Sequence, residues 1–532
     1  MFDYLIIGGG SAGCVLAARL SEDPAIQVAL LEAGPPDSSV LIHCPAGLAI
    51  MAQTGQANWK VETVPQSGLN GRRGYQPLGK VLGGSSSINA MIYIRGQRED
   101  YDHWAALGNN GWGYDDVLPY FKRAEHNERG ADAYHAQGGP LNVMNLRSPN
   151  PYGARFVQAA QQAGFALNPD FNGATQEGVG HYQVTHRNGE RFSAAKAYLT
   201  PNLGRPNLKV FTGALITRIL LQGKRAVGVE FQHEGLLKRL DCKREVLLSA
   251  GAVHSPQVLM LSGIGPREHL LQHGIAVQHE LQAVGQNLHD HADVVMVVHV
   301  PGGRELLGLS PAGMWATLKG IAQWRRERSG LLTTNFAEAG GFIKSRPEEP
   351  LPDLQLHFVI GKLINHGRTN SWGHGFSCHL CLLRPRSRGS VRLANADPSA
   401  MPLVDPNFLG DPDDVERMVR GFKLMRGILT QPALASAGMH ELRASASVQT
   451  DAEIESFLRN RTDTIYHPAG SCRMGRDTDA VVDSRLKVHG MSGLRVVDGS
   501  VMPRLVSGNT NAPIIMIAEK AADMIRADAA GG

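Results

Sequence analysis

Near its N-terminus the chain reads Tyr4-Leu5-Ile6-Ile7-Gly8-Gly9-Gly10-Ser11-Ala12-Gly13. This short apolar run leads into a glycine-rich turn, and residues 14–20 then have the apolar spacing of a helix. A second apolar run, 28–31, is followed by Glu32, nineteen residues beyond Gly13. The order strand, glycine turn, helix, strand predicts the opening unit of a doubly wound α/β sheet.

The glycine turn and Glu32 together form a dinucleotide-binding pattern. Gly8 permits the tight turn, Gly10 lets the backbone approach a diphosphate, and Gly13 lets the helix pack closely on the strand. The N–H groups from Ser11 onward and the positive end of the helix dipole suit the phosphates. Glu32 would accept hydrogen bonds from the adenosine ribose and repel a 2′-phosphate, which disfavours NADP. The pattern leaves FAD and NAD both open.

The composition is that of a soluble globular enzyme, with 42% hydrophobic and 19% charged residues. A chain of 532 residues is long for one core, so two interlocked domains are expected. The formal charge of +4, without a long basic block, argues against a nucleic-acid partner. Cys378 and Cys381 have CxxC spacing, but strand alternation would place them on opposite faces. We therefore predict no metal site and no disulfide framework.

Two further segments extend the dinucleotide pattern: residues 79–96 read GKVLGGSSSINAMIYIRG, and residues 251–265 read GAVHSPQVLMLSGIG. Both resemble the signature segments of the glucose–methanol–choline (GMC) oxidoreductase family. The resemblance implies an α/β fold, α+β overall, in which a Rossmann-like FAD-binding domain joins a substrate domain with a mostly antiparallel sheet and helices.

The resemblance implies FAD as the cofactor. Besides Gly8, Gly10, Ser11, Gly13 and Glu32, the cofactor-binding residues that it implies are Gly83, Ser85, Asn89, Ile92, Ile216, Asp498, Gly499 and Asn511. Residues 212–218 would form the strand that passes the adenine. Some relatives attach FAD covalently through a histidine one residue before the Asn of the first segment. Here that position is Ile88, which has no nucleophile, so we expect FAD to be bound non-covalently.

The richest chemistry lies near the C-terminus, where residues 465–475 read IYHPAGSCRMG and residues 508–513 read GNTNAP. The first segment resembles the family's active-site segment, which implies that His467 is the catalytic base. An imidazole can take a hydroxyl proton near neutral pH while hydride leaves the α-carbon for the flavin. The resemblance places Asn511 opposite His467, bound to the substrate oxygen. Asn511 also suits a helix N-cap, with Pro513 in the first turn.

Residues 284–291, VGQNLHDH, resemble a further family segment, and two interpretations of His291 stay open. It either lines the active site or forms a purely structural hydrogen bond. Asp293 occupies the place where choline-specific relatives carry Glu, and the shorter acid weakens a choline assignment.

We place the FAD-binding domain at 1–150, 185–295 and 460–532, and the substrate domain at 151–184 and 296–459. Residues 354–358 alternate as a strand does. Residues 311–328 form a predicted helix with Met314, Trp315, Leu318 and a basic end. Core packing or a dimer contact is the ordinary explanation of that helix, and contact with a membrane surface near a quinone is the alternative.

Within the family the motifs most resemble bacterial medium-chain alcohol dehydrogenases. The expected substrates are aliphatic, aryl or glycol-type primary alcohols, with a quinone or another electron acceptor. Choline dehydrogenase, an O₂-using alcohol oxidase, and a non-redox lyase or photodecarboxylase are the alternatives. No leader or membrane-spanning run is evident, so we expect a cytoplasmic monomer or homodimer, with peripheral contact at the inner face of the membrane as an open possibility.

Overall fold

The computed structural model describes residues 1–436 and 438–531. Its helices are α1 Ser11–Leu20, α2 Val40–His43, α3 Leu48–Thr54, α4 Arg98–Ala106, α5 Tyr114–Ala124, α6 Pro151–Gln162, α7 Gly251–Leu261, α8 Arg267–Gln272, α9 Pro311–Glu327, α10 Pro412–Leu429, α11 Arg443–Ala446, α12 Asp451–Arg461 and α13 Asn511–Gly531.

The strands of the first half of the chain are β1 Phe2–Ile7, β2 Val28–Glu32, β3 Val61–Glu62, β4 Tyr75–Gln76, β5 Glu125–Asn127, β6 Leu141–Asn145, β7 Gly178–His181, β8 Gln183–Val184, β9 His186–Arg187, β10 Glu190–Arg191, β11 Leu208–Thr212, β12 Leu215–Gln222, β13 Arg225–His233 and β14 Leu236–Leu248. Those of the second half are β15 Ile264–Gly265, β16 His279–Glu280, β17 Ala292–His299, β18 Gly308–Leu309, β19 Ala337–Ile343, β20 Leu354–Val359, β21 Gly373–Leu382, β22 Ser390–Arg392, β23 Leu403–Asp405, β24 His440–Glu441, β25 Asp463–Thr464 and β26 Leu494–Val496.

A seven-stranded sheet holds the N-terminal unit. Its order is β11-β2-β1-β14-β13-β12, and β26 pairs with β14. Strand β1 runs parallel to both β2 and β14, as the strand–turn–helix–strand pattern predicts. A Cβ at Gly13 would lie 1.9 Å from the carbonyl oxygen of Gly8, so α1 packs as closely on the turn as expected.

An eight-stranded sheet forms the second layer. Its order is β24-β17-β21-β20-β19-β7, with β18 on β21 and β25 on β17, and the pairings between these strands are antiparallel. The mostly antiparallel substrate sheet is therefore confirmed. Helices α6, α10 and α12 cover one face of it and share one apolar core with its inward side chains.

Strand alternation separates the two faces of this sheet. Leu354, Leu356 and Phe358 of β20 pack into the helix-covered core, whereas His357 faces a large cavity on the other side. Cys378 and Cys381 of β21 likewise belong to different apolar clusters, so they do lie on opposite faces.

One local expectation needs correction. Residues 212–218 are not one strand, because a turn at Gly213, where φ is +67°, separates β11 from β12. The two sheets also lead us to propose small shifts in the domain boundaries. Strand β17 begins at Ala292, before the boundary predicted at 295, and β25 lies beyond the one predicted at 460. Among the residues described here, no helix is both long and apolar enough to cross a membrane.

Candidate active site

His467 lies at the junction of the two layers, in the loop between β25 and β26. Its side chain is 7% exposed and lines a cavity of about 1400 Å³. Its Nδ1 lies 3.0 Å from Nδ1 of His291, and its Nε2 lies 3.3 Å from Nδ2 of Asn509. Burial of the ring, together with the neighbouring His291, holds the pKa of His467 well below its ordinary value. The imidazole is therefore neutral at physiological pH.

The contacts of His467 define which of its ring nitrogens carries the proton. An amide nitrogen only donates, so Nε2 of His467 must be the acceptor towards Asn509. The proton then sits on Nδ1 and is donated to His291. Burial lowers the pKa of His291 to about 3, so this ring is neutral as well and can accept. His291 is fully buried and is not among the residues that line the cavity, so of the two interpretations the structure favours a structural hydrogen bond, which holds the tautomer of His467.

Asn509, rather than the predicted Asn511, lies beside His467. The amide oxygen of Asn509 accepts a hydrogen bond of 3.2 Å from Nε2 of Gln355 on β20. This contact turns the amide nitrogen of Asn509 towards His467. Asn511 also lines the cavity, but its amide oxygen accepts from the Ser11 hydroxyl at 2.7 Å and so links the N-termini of α13 and α1. The sequence argument chose Asn511 at the helix start, whereas both asparagines line the cavity and Asn509 is the one whose amide contacts His467.

Asp290 holds the backbone of His467 in place. Its Oδ1 accepts from the His467 backbone N–H at 2.9 Å, and its Oδ2 accepts from Gln76 at 3.1 Å and from the Thr464 hydroxyl. Tyr466, just before the histidine, has φ of +75°, a value that non-glycine residues rarely adopt. The buried carboxylate therefore fixes a constrained turn that presents the imidazole to the cavity.

Two further histidines lie on the cavity face of the eight-stranded sheet. His357 and His379 both line the cavity, and both ring nitrogens of His357 are buried without a hydrogen-bond partner in the described part of the chain. Nδ1 of His379 lies 2.7 Å from Oδ2 of Asp293, which does not itself line the cavity. No motif distinguished these two histidines in the sequence; only the register of β20 and β21 brings them to the site.

A second, narrower groove adjoins the cavity at the carboxyl ends of β1 and β2. The groove and the cavity share five residues, namely Ser11, Ser85, Tyr466, Thr510 and Ile514. Eight of the predicted cofactor residues line this groove: Gly8, Gly10, Ser11, Glu32, Ser85, Ile216, Asp498 and Gly499. Asn89, Ile92 and Asn511 line the large cavity instead. Gly13 and Gly83 lie behind the groove, where the Gly83 N–H donates to the Gly9 carbonyl oxygen at 2.7 Å.

The residues of the groove fit a dinucleotide such as FAD. A Cβ at Gly10 would meet no atom closer than 4.0 Å, so the backbone at the start of α1 is open to a diphosphate. The Glu32 carboxylate accepts one N–H on each oxygen, from Gly9 at 2.8 Å and Gly34 at 2.7 Å. Each oxygen keeps a lone pair for a ribose hydroxyl. Burial raises the pKa of Glu32 to about 7.

Arg191 was not anticipated from the sequence. Its buried guanidinium donates to the backbone oxygens of Ser86 and Asn89 and to the Asn89 side chain at 2.9 Å. It thereby fixes the glycine–serine loop 83–89. Asp498 has a similar function on the other side of the groove, where it accepts from the Gly251 N–H and from the hydroxyl of Ser255. Fold, groove and buried histidine together are those of a dinucleotide-dependent oxidoreductase.

Comparison with known proteins identifies the family. The GMC oxidoreductase family profile matches residues 2–293 and 385–518. An alcohol dehydrogenase [acceptor] of Pseudomonas putida is 47% identical over 99% of this chain and 96% of its own length. The mitochondrial choline dehydrogenase of Homo sapiens is 43% identical over 99% of this chain and 90% of its own length.

Among solved structures, a pyridoxine 4-oxidase from Mesorbium loti superposes with a TM-score of 0.88 at 31% identity, over 98% of this chain and 99% of that one. An FAD-dependent oxidoreductase from Chaetomium thermophilum gives a TM-score of 0.90 at 27% identity over the full length of both chains. The protein belongs to the GMC oxidoreductase family. It is an FAD-dependent enzyme that oxidises alcohols.

Proposed function

We propose that the protein oxidises primary alcohols, whether aliphatic, aryl or glycol-type, to aldehydes, with His467 as the base. The observation that carries this proposal is the neutral, buried imidazole, whose unprotonated Nε2 and the neighbouring Asn509 line a largely apolar cavity beside the dinucleotide groove.

His467 and Asn509 would divide the chemistry between them. The alcohol hydroxyl would donate to Nε2 of His467, while Nδ2 of Asn509 would donate to the same oxygen and limit how the substrate can lie. FAD, when bound, supplies the acceptor for the hydride from the α-carbon. The hydroxyl proton passes to Nε2, so RCH₂OH loses one hydride and one proton and becomes RCHO. Proton transfer to a base placed in this way contributes about 10²–10⁴-fold to the rate.

The lining of the cavity supports an apolar substrate. Much of its wall consists of aliphatic and aromatic side chains, among them Leu41, Met51, Ile88, Leu307, Leu332, Phe336 and Val359. Such a surface gains free energy from each methylene group that it takes out of water. Aliphatic and aryl alcohols are therefore favoured over small polar ones.

Choline would not meet the carboxylate of Asp293 in this cavity. A quaternary ammonium is held by aromatic faces or by a facing carboxylate. Asp293 occupies the position at which choline-specific relatives carry Glu. Its side chain does not line the cavity and is hydrogen-bonded to His379. Burial raises the pKa of Asp293.

The test is a substrate panel with the purified holoenzyme under anaerobic conditions. We expect medium-chain and aryl primary alcohols to bleach the flavin absorption, and choline to do so far more slowly. Bleaching by choline alone would show that the substrate assignment is wrong, and a flavin that no alcohol bleaches would refute alcohol oxidation as the activity.

We further propose a quinone-type electron acceptor rather than O₂. The Pseudomonas putida relative is named as a dehydrogenase with an acceptor, whereas several bacterial choline-oxidising relatives are named as oxygen-dependent. After anaerobic bleaching, a short-chain ubiquinone analogue should restore the flavin colour within the mixing time, and air should restore it slowly. Equally fast recovery in air would identify an oxidase.

A further inference from the structure

Helix α9 leaves most of its apolar side chains in contact with solvent. Met314, Trp315 and Leu318 are 54%, 60% and 60% exposed, and Ile321 is 42% exposed. Only Gly320 and Trp324 of this helix are buried, and the Trp324 indole anchors it through a hydrogen bond of 2.8 Å to the Gly189 carbonyl oxygen. Isolated exposed apolar residues are common, but several on one short helix mark an interaction surface.

Two more exposed apolar residues lie next to the helix. Leu309, which is 41% exposed, forms an isolated backbone β-bridge with Trp372, which is 68% exposed. We call these two, together with the four exposed residues of α9, the rim patch. Leu309 and Ile321 also line the large cavity, and so do the exposed Val40 and Ile50 from the other side. The rim patch therefore borders the entrance to the active-site cavity.

The charge on the helix is basic and unpaired. Lys319, Arg325 and Arg326 are exposed and form no ion pair within the described residues. Glu327 is the one acidic residue of α9. The ammonium group of Lys319 lies 5.3 Å from the ring centre of Trp315, so a cationic and an aromatic group lie side by side on this surface. Aromatic and basic side chains in this arrangement suit the headgroup region of an anionic bilayer.

We propose that the rim patch docks on the surface of an anionic phospholipid bilayer, with the cavity entrance facing the lipid. The access route rests on the proposed function, because a hydrophobic alcohol concentrates in the bilayer and would enter the cavity from there. A second copy of the chain fits this surface less well. It would cover the cavity entrance, and a symmetric contact would bring the unpaired Arg325 and Arg326 of two copies close together.

The test uses the FAD-loaded full chain and sedimentation with vesicles. Wild-type protein should sediment with phosphatidylcholine vesicles that contain phosphatidylglycerol, and much less with phosphatidylcholine alone. The double variant Trp315→Ser with Leu318→Ser should bind at least about tenfold more weakly, because burial of one leucine-sized side chain is worth roughly that factor. Neither residue lines the cavity, so flavin reduction by a short, water-soluble alcohol should not change.

A matched control is available on the β13–β14 hairpin, where Leu236 and Leu237 are 63% and 61% exposed. Replacement of both by Ser should leave vesicle binding unchanged. Wild-type protein that stays in the supernatant with anionic vesicles would overturn the proposal. So would a dimer, measured by analytical ultracentrifugation, that the rim-patch variant converts to monomer. Flavin bleaching by alcohols without vesicle binding would refute docking alone, whereas vesicle binding without bleaching would refute the proposed substrate alone.

Discussion

Replacement of His467 by alanine is the perturbation with the most definite consequence. It removes Nε2, the ring nitrogen that the contacts with Asn509 and His291 leave unprotonated and able to accept a proton. The loss of a positioned general base slows the chemical step by about 10²–10⁴-fold, equivalent to about 2.7–5.4 kcal/mol in activation free energy. FAD binding should persist, because His467 does not line the dinucleotide groove.

The assay is stopped-flow reduction of the flavin at saturating alcohol without oxygen, so that only the chemical step is observed. His103→Ala is a matched control, since His103 is an exposed histidine on α4. Added imidazole should partly restore the rate of His467→Ala, because the cavity of about 1400 Å³ can admit it. A purely structural defect would not respond to imidazole. A His467→Ala rate within about threefold of wild type would refute the assignment of the base.

Three further outcomes follow from the same geometry. Because burial lowers the pKa of His467, the base stays unprotonated below the ordinary histidine value, and kcat/KM should remain level as the pH falls from about 8 to about 6. An inflection near the ordinary value in the pH profile would contradict this. His291→Leu should slow flavin reduction by about three- to tenfold, the value of one hydrogen bond, whereas His291→Asn, which keeps an acceptor, should lose less in the same stopped-flow assay. Acid precipitation should release all of the flavin into the supernatant because Ile88 offers no nucleophile; flavin retained in the pellet would show a covalent bond.

The parts of the fold that depend on local pattern could be predicted from the sequence. The strand, glycine turn, helix and acidic residue at 4–32 fold as expected, because turn geometry and helix packing are set within that segment. The helix predicted at 311–328 is α9, and residues 354–358 do belong to a strand, β20. Chain position alone, however, could not show that α9 remains exposed.

The contacts of the site depend on long-range packing, which no single segment encodes. Residues 508–513 contain two asparagines, and their spacing does not tell which one meets His467. Gln355, from a strand more than a hundred residues away, orients Asn509. Arg191 and His357 likewise reach the site only through the register of distant strands. Resemblance to a family located His467, but the structure was needed to identify its partners.

The central claim is that hydride leaves the α-carbon of a primary alcohol while His467 takes the hydroxyl proton. Anaerobic flavin reduction by a medium-chain primary alcohol and by its α,α-dideuterated form tests it most directly. We predict that deuteration slows flavin reduction markedly in the wild-type enzyme, because the C–H bond breaks in the observed step. Equal rates for the two alcohols, or an absence of bleaching by either, would contradict the account.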